Sequence, residues 1–384
     1  MSTTSRPRRR PTVAGLAATV LATSLLVSCT SDPAETVSGT ATRASCAPSS
    51  VPQPVTAKTV AATDTDGVTL RLVTHDSFAV SDGLFDRFTD QTGITVQVVP
   101  SGDAGQMVSQ SILTAGNPVG DVMFGIDNTL LCRGERAGLF VPYEATGVGG
   151  VPADLRLAEE HLATPIDVGD VCLNYADAAY PGGKGAPGSL EDLTEPAFEN
   201  TFVTENPETS SPGLAFLLAT VAQFGEDGWE QYWKDLRANG VKVTSGWSEA
   251  YEDEFGSGTG ERSIVTSYAS SPVADVLYAD PPRSTSVVGV VPDACFRQVE
   301  FAGILRGTDH PEAAAKLVDF LLSTAFQDDI PLNMFVAPVN PKATIPAAYA
   351  THATVVDDPI TMTPAEIEAG RDRWTERWTQ IVLR

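Results

Sequence analysis

The sequence predicts an α/β protein of two domains behind an export segment. Three observations carry this. The chain has 384 residues, against a soft prior of about 150 per domain. Its hydrophobic content of 42% is ample for packed cores. A strand, helix and strand pattern starts at Val68. Twenty-five Lys and Arg against 49 Asp and Glu give a charge of −24. Such a chain is repelled by nucleic-acid phosphate and anionic lipid. Nucleic acid is therefore not an expected partner, and a neutral or cationic small ligand fits better. The same acidity also serves simply to keep a soluble protein dispersed.

Arg6, Arg8, Arg9 and Arg10 precede the apolar run Val13 to Val27, which is shorter than the about 20 residues that span a bilayer and matches an export signal. The run ends in Leu26-Val27-Ser28-Cys29. That sequence resembles a bacterial lipobox, which implies a signal peptide over 1–28, cleavage before Cys29 and lipid attachment to its sulfur. Removing residues 1–28 takes away four Arg and no acid, so the charge becomes −28. Residues 29–67, rich in Ser, Thr, Ala, Pro and Val without period, read as a flexible tether.

Val68 to Thr74 alternates as a first strand. A helix with Leu84, Phe85 and Phe88 follows, stopped by Gly93, and Ile94, Val96 and Val98 alternate again. A helix near Gly105 to Ala115 leads to a strand at Asp121 to Ile126, and another strand is expected near Val168 to Tyr175. Helices are predicted after Pro212, over Trp229 to Asn239 and after Ser248, then a strand at Ser263 to Tyr268 and a helix after Pro272. Apolar runs at Val287–Val291 and Val299–Leu305 precede a helix from Pro311 to Phe326. The last helix opens on Thr363-Pro364-Ala365-Glu366, a capping box with Pro at the first helical position, and turns Ile367, Trp374, Trp378 and Ile381 to the core.

Several chemistries lack their residues. Four His, at 75, 161, 310 and 352, show no i,i+4 pairing, so no metal site is expected. Gly246-Trp247-Ser248-Glu249-Ala250 lacks the closing Gly of a nucleophile elbow. Gly256-Ser257-Gly258-Thr259-Gly260 lacks the spacing and the preceding strand of a dinucleotide cradle. Neither an enzyme nor a cofactor is predicted.

Ligand-holding chemistry is present instead. Ser210-Ser211-Pro212 and Ser270-Ser271-Pro272 each place a capping Ser before a Pro-initiated helix, where backbone N–H groups and a partial positive charge face outward. Trp247, one residue before a helix cap, suits stacking on a cationic or aromatic ring, worth about 0.5–2 kcal/mol when desolvated. Tyr268 closes a strand before the second helix mouth. Asp76, Asp103 and Asp127 adjoin strand ends, where open α/β sheets bind ligands. Cys46, Cys132, Cys172 and Cys295 remain beside Cys29, and an exported protein permits three pairings among them.

Thr74-His75-Asp76-Ser77-Phe78, Gly125-Ile126-Asp127-Asn128-Thr129, Thr209-Ser210-Ser211-Pro212-Gly213, Gly246-Trp247-Ser248-Glu249-Ala250-Tyr251 and Ser267-Tyr268-Ala269-Ser270-Ser271-Pro272 resemble, in order, the motifs of the thiamine-binding proteins of bacterial ABC importers. The resemblance runs from about Val68 to Arg384. It implies a two-lobed periplasmic-binding-protein-like type II fold with a crossover hinge: lobe 1 over 68–166, lobe 2 over 167–295, a return to lobe 1 over 296–345 and a C-terminal helical segment, 346–384, on lobe 2. The ligand contacts it implies are Asp103, Ala104, Ser210, Ser211, Trp247, Tyr268, Ala269, Ser270 and Ser271, with His75, Asp127 and Phe335 added here. Trp247 would stack on the ligand rings and Asp103 would meet the cation. Ser210 and Ser211 would hold the hydroxyethyl arm or a phosphate, and Tyr268 and Ser271 would complete the polar wall. His75 and Ala274 stand where the family has aromatics, and Phe335 would compensate. The crossovers this resemblance implies, near 165–170 and 293–299, would pair Cys172 with Cys295 and leave Cys46 with Cys132.

The expected protein is a monomeric lipoprotein on the outer face of the cell membrane. It would carry thiamine or a thiamine phosphate to an ABC permease and its ATPase subunit. A ferric-ion or polyamine receptor of the same fold is the alternative, and iron would want a Tyr-Tyr pair that this chain lacks.

Overall fold

The computed structural model describes residues 46–384 apart from Pro282. The signal peptide expected over 1–28, the lipidated Cys29 and the first part of the tether lie outside the described residues. Alternation along β1 (Thr69–Thr74) buries Leu70 and Leu72 and leaves Thr69 and Arg71 exposed. The helix Leu84–Thr92 inserts Leu84 and Phe88 into the same core and stops at Gly93, whose φ of 71° is the left-handed conformation a helix C-cap needs. β2 (Thr95–Pro100) returns parallel to β1, and β3 (Val122–Asp127) pairs parallel on β1's other edge.

Past the two-residue strand β4 (Phe140–Val141), the long strand β5 (Thr164–Ala176) leads into a second set of parallel strands. These are β6 (Phe202–Glu205), β7 (Lys242–Thr244) and β8 (Ile264–Tyr268). The apolar runs at 287–291 and 299–305 belong to one 18-residue strand, β9 (Val288–Leu305). With the short β10 (Ala337–Pro338) on β5, the ten strands among the described residues form one sheet, ordered β2-β1-β3-β9-β5-β8-β6-β7 along its main path. The antiparallel β5/β9 pair thus lies between two parallel halves. β6 and β7 are absent from the sequence reading because strands of four and three residues carry too little alternation to register.

Two disulfides stand where the resemblance implied them. Cys172–Cys295 ties β5 to β9, and Cys46–Cys132 ties the start of the described chain to the helix Leu131–Arg136. The second bond corrects the tether's extent. Beyond Cys46, the Val55 N–H donates to the Pro142 carbonyl at 2.9 Å. The helix Ala57–Ala62 packs against the helix Pro311–Leu322. The fold therefore includes Cys46, and the tether does not extend to residue 67. The covalent link and the buried Val55 do this, and a Ser/Thr/Ala/Pro composition conceals both.

The helices expected at Pro212 and at 229–239 form one run, Ser211–Ala238, broken at Gly225 (φ 67°, ψ 175°). The final helix Pro364–Val382 starts at the predicted capping box, with Thr363 and Glu366 exchanging hydrogen bonds. Its Trp378 meets Trp233 edge to face at 5.5 Å, and Arg377 pairs with Glu230 at 2.7 Å. On its other side Glu368 reaches Arg136 at 3.6 Å. The helix therefore touches elements from both halves of the sheet rather than the second half alone.

Candidate functional site

Both halves turn the C-terminal ends of parallel strands toward one cavity of about 550 Å³, the position at which open α/β sheets hold ligands. His75 and Asp76 follow β1, Asp103 follows β2, Ser211 follows β6, Trp247 follows β7 and Tyr268 ends β8. All six line the cavity.

Asp103 is the meeting point. It caps the helix Ala104–Leu113, accepting the Ala104 N–H at 2.6 Å. It also accepts two N–H groups from the other half of the molecule, Ser211 at 3.2 Å and Trp247 at 3.0 Å. Two glycines let the chains approach this closely. A Cβ on Gly105 would lie 2.6 Å from the Thr209 carbonyl carbon, and one on Gly246 would lie 3.1 Å from the Asp103 carboxylate. Burial pushes the Asp103 carboxyl up to about 6, against the opposing pull of the Trp247 and Ser211 donors.

Trp247 donates its indole N–H to Ser267 Oγ at 2.9 Å. One face of its ring stacks on Tyr251 at 5.0 Å and 10°, and Tyr268 stands 6.3 Å away at 59°. At the second helix mouth, Ser271 Oγ meets Ser267 Oγ at 3.0 Å and accepts the Tyr268 N–H at 3.2 Å. Ser270 reaches across to the carbonyl of Phe335. Phe335 sits at φ 58°, a costly region for an aromatic residue, and meets Tyr278 edge to face at 5.6 Å. Tyr278 lies one helical turn beyond Ala274, and both line the cavity.

The floor is acidic. Glu300 lines the cavity at 7% exposure, with His75 Nε2 at 3.9 Å. Burial lowers His75 to about 4, so the imidazole is neutral near pH 7 and the contact is not an ion pair there. Arg283, which also lines the cavity, is paired with Asp275 at 3.3 Å.

Of the residues predicted from sequence, His75, Asp103, Ala104, Ser211, Trp247, Tyr268, Ser270, Ser271 and Phe335 line this cavity. Ser210, Ala269 and Asp127 do not. Ser210 is 1% exposed, and its hydroxyl accepts the Gly213 N–H at 3.4 Å as a helix cap. Ala269 packs against the Cys172–Cys295 bridge. Asp127 is fully buried and bound to the Thr129 N–H, the Thr129 hydroxyl and the Gln298 amide. At the Ser210-Ser211 mouth, Asp103 accepts the Ser211 N–H and Gln298 donates to Ser211 Oγ at 2.9 Å. The lining residues that sequence reasoning missed include Glu300, Tyr251, Asp275, Tyr278 and Arg283. An acid inside the apolar run Val299–Leu305 was the available signal for Glu300.

Fold and cavity together are those of a ligand-binding protein, and comparison with known proteins agrees. Residues 117–357 match the family of bacterial extracellular solute-binding proteins. The chain belongs to this family, so it is an exported binding component of ABC-type transport rather than an enzyme. It is 30% identical over 323 residues to the thiamine-binding periplasmic protein of Escherichia coli strain K12, covering 82% of this chain and 94% of that one. The solved structure of a periplasmic thiamin binding protein superposes with a TM-score of 0.73 at 27% identity, covering 87% of this chain and 100% of that chain. Iron-bound HitA from Pseudomonas aeruginosa matches with a TM-score of 0.68 at 23% identity over 82% of this chain and 99% of that one, a likeness of fold. The architecture is the type II periplasmic-binding-protein fold.

Proposed function

We propose that this chain is the thiamine receptor of an ABC importer, held at the outer face of the cell membrane by lipid on Cys29 and handing its ligand to the permease. The observation that carries the reading is the pairing, in one cavity, of a Trp247 ring backed by Tyr251 with the carboxyls of Asp103 and Glu300. A flat aromatic ring bearing a fixed positive charge gains from both, through stacking and cation–π attraction on one side and Coulomb attraction in a poorly solvated site on the other. Trp247 stacks on the ligand, Asp103 meets its charge, and Tyr268, Ser270 and Ser271 supply polar contacts. The hydroxyethyl arm lies toward Ser211. A phosphate ester there competes with the Asp103 carboxylate for the same N–H, so free thiamine binds more tightly than its mono- and diphosphates.

Contacts from both lobes stabilise the closed form that the permease recognises. An importer working on vitamin traces needs nanomolar affinity, about −12 kcal/mol. Titration calorimetry of the purified full chain with thiamine tests this, as does the mass of any small molecule carried through purification. At a hundredfold excess over Kd the bound protein gains about 2.7 kcal/mol of stability. Absence of both heat and thermal shift at micromolar thiamine removes the reading. For the anchor, growth with a labelled fatty acid is expected to label the protein, and Cys29→Ala to abolish the label. A label that persists in the variant counts against lipidation there.

A further inference from the structure

Three carboxyls stand side by side across the middle of the sheet. The register pairs Asp127 of β3 with Glu300 of β9, and Glu300 with Asp167 of β5, and directly paired residues point to one face. Asp127 and Asp167 are fully buried, while Glu300 faces the cavity. Asp127 is well supplied with donors by Thr129 and Gln298. Asp167 is not: among the described residues neither of its oxygens has a donor of its own, and the carboxyl of Glu300, which interacts with it, donates only while protonated.

Among the described residues, the other groups facing Glu300 offer no positive charge near pH 7. They are His75 after β1, neutral by burial, Asp103 at the start of the helix Ala104–Leu113, and Tyr268 of β8. Two neighbouring carboxyls in a water-poor site do not both ionise. Burial, together with the charge of the neighbouring acids, accordingly holds Glu300 well above the usual carboxyl range, and burial raises Asp167 to about 7.

Building on the thiamine reading, we propose that the Glu300–Asp167 pair holds a proton that an incoming organic cation displaces. The carboxyl O–H breaks, the proton passes to bulk water, and the carboxylate left behind is balanced by the fixed charge of the ligand ring. Capture is then an exchange of a cation for a proton. A neutral ring of the same size gains nothing from it, so the pair selects for permanent positive charge.

Titration calorimetry with thiamine at pH 7, run on the full chain in phosphate and in Tris, separates the possibilities. The expected result is a heat that differs between the buffers by the equivalent of about one proton released per thiamine. Glu300→Gln is expected to lower that count by at least half. Equal heats in both buffers overturn the exchange and leave the thiamine reading standing, whereas no heat in either removes both. A wild-type proton count in Glu300→Gln shows another group to be the source and overturns the assignment. Should that variant not fold, an infrared difference spectrum of the unmutated protein decides. Loss of a protonated-carboxyl band on thiamine addition supports the exchange, and no loss overturns it.

Discussion

The two Ser-Ser-Pro helix starts are nearly the same in sequence and unlike in structure. At Ser210-Ser211-Pro212 the first Ser caps a 28-residue run through the Gly213 N–H, and the Ser211 N–H is taken by Asp103 from across the cavity. At Ser270-Ser271-Pro272 the first Ser has helical backbone angles, makes no side-chain cap bond and reaches to Phe335, and its helix is only seven residues long. The first is a structural cap joined to a seam between the halves. The second is a polar edge of the cavity. A shared local motif therefore sets where a helix begins, while the partner arriving from elsewhere in the chain sets what its serines do.

The largest test of this contrast is Asp103→Ala, which leaves the Ser211 and Trp247 N–H groups without their acceptor. Each such charge-assisted bond is worth about 1.5–3 kcal/mol, so thiamine affinity by calorimetry is expected to fall about a hundredfold. An unchanged Kd breaks the view that Asp103 joins the halves at the first mouth.

Gly105→Ala comes next. Alanine favours the helix by about 1 kcal/mol, but its Cβ meets the Thr209 carbonyl carbon at 2.6 Å. About tenfold weaker thiamine binding is expected, because backbone on one side of the seam must shift to admit the Cβ. A variant that melts earlier while binding normally would place the effect in the helix and not in the seam.

The titration of Asp103 supplies a smaller signal. Its carboxyl is raised by burial from 3.8 to about 6, so the folded protein holds this proton more tightly than the unfolded chain. The stabilisation from it is complete below about pH 4 and is lost as pH rises through about 6. Asp103→Asn is expected to make the melting temperature fall less steeply across pH 4–7 than in the unmodified protein, and parallel profiles would argue against a raised pKa.

Smallest is the direct pair. Ser210→Ala should cost about 1 kcal/mol in denaturant unfolding, as loss of a helix cap does, and leave thiamine affinity unchanged, whereas Ser270→Ala, which takes the donor from the Phe335 carbonyl, should cost a similar amount and also weaken thiamine binding. Equal effects on binding would erase the distinction between cap and cavity edge.

Much of the fold was legible because the signals were local. Gly93 stopping a helix, the Thr363–Glu366 capping box and the alternation in β1 each depend on residues within a few positions of one another. The second-half cavity residues Trp247, Tyr268 and Ser271 were legible because motif and physical role coincided. Asp127 misled for the same reason that it looked promising: an acid at a strand end is equally well placed to bind a ligand or to tie down its own turn. Here Thr129 and Gln298 claim it. Tyr251 escaped notice because its value lies in backing the Trp247 ring from four residues away on a π-helical turn, Glu249–Phe255.

The sequence by itself determined the α/β class, where several helices start, which cysteines are available to pair, and the acidic balance that suits a cationic ligand. Propensity, capping and charge count act over short distances or over the whole composition, and both are readable along a line. Only the tertiary structure decided that Asp103 would sit at the mouth of a helix more than a hundred residues away, and that Glu300 would stand between Asp127 and Asp167. Those neighbours are set by strand order and register, which emerge when distant segments pack, and no run of adjacent residues encodes them.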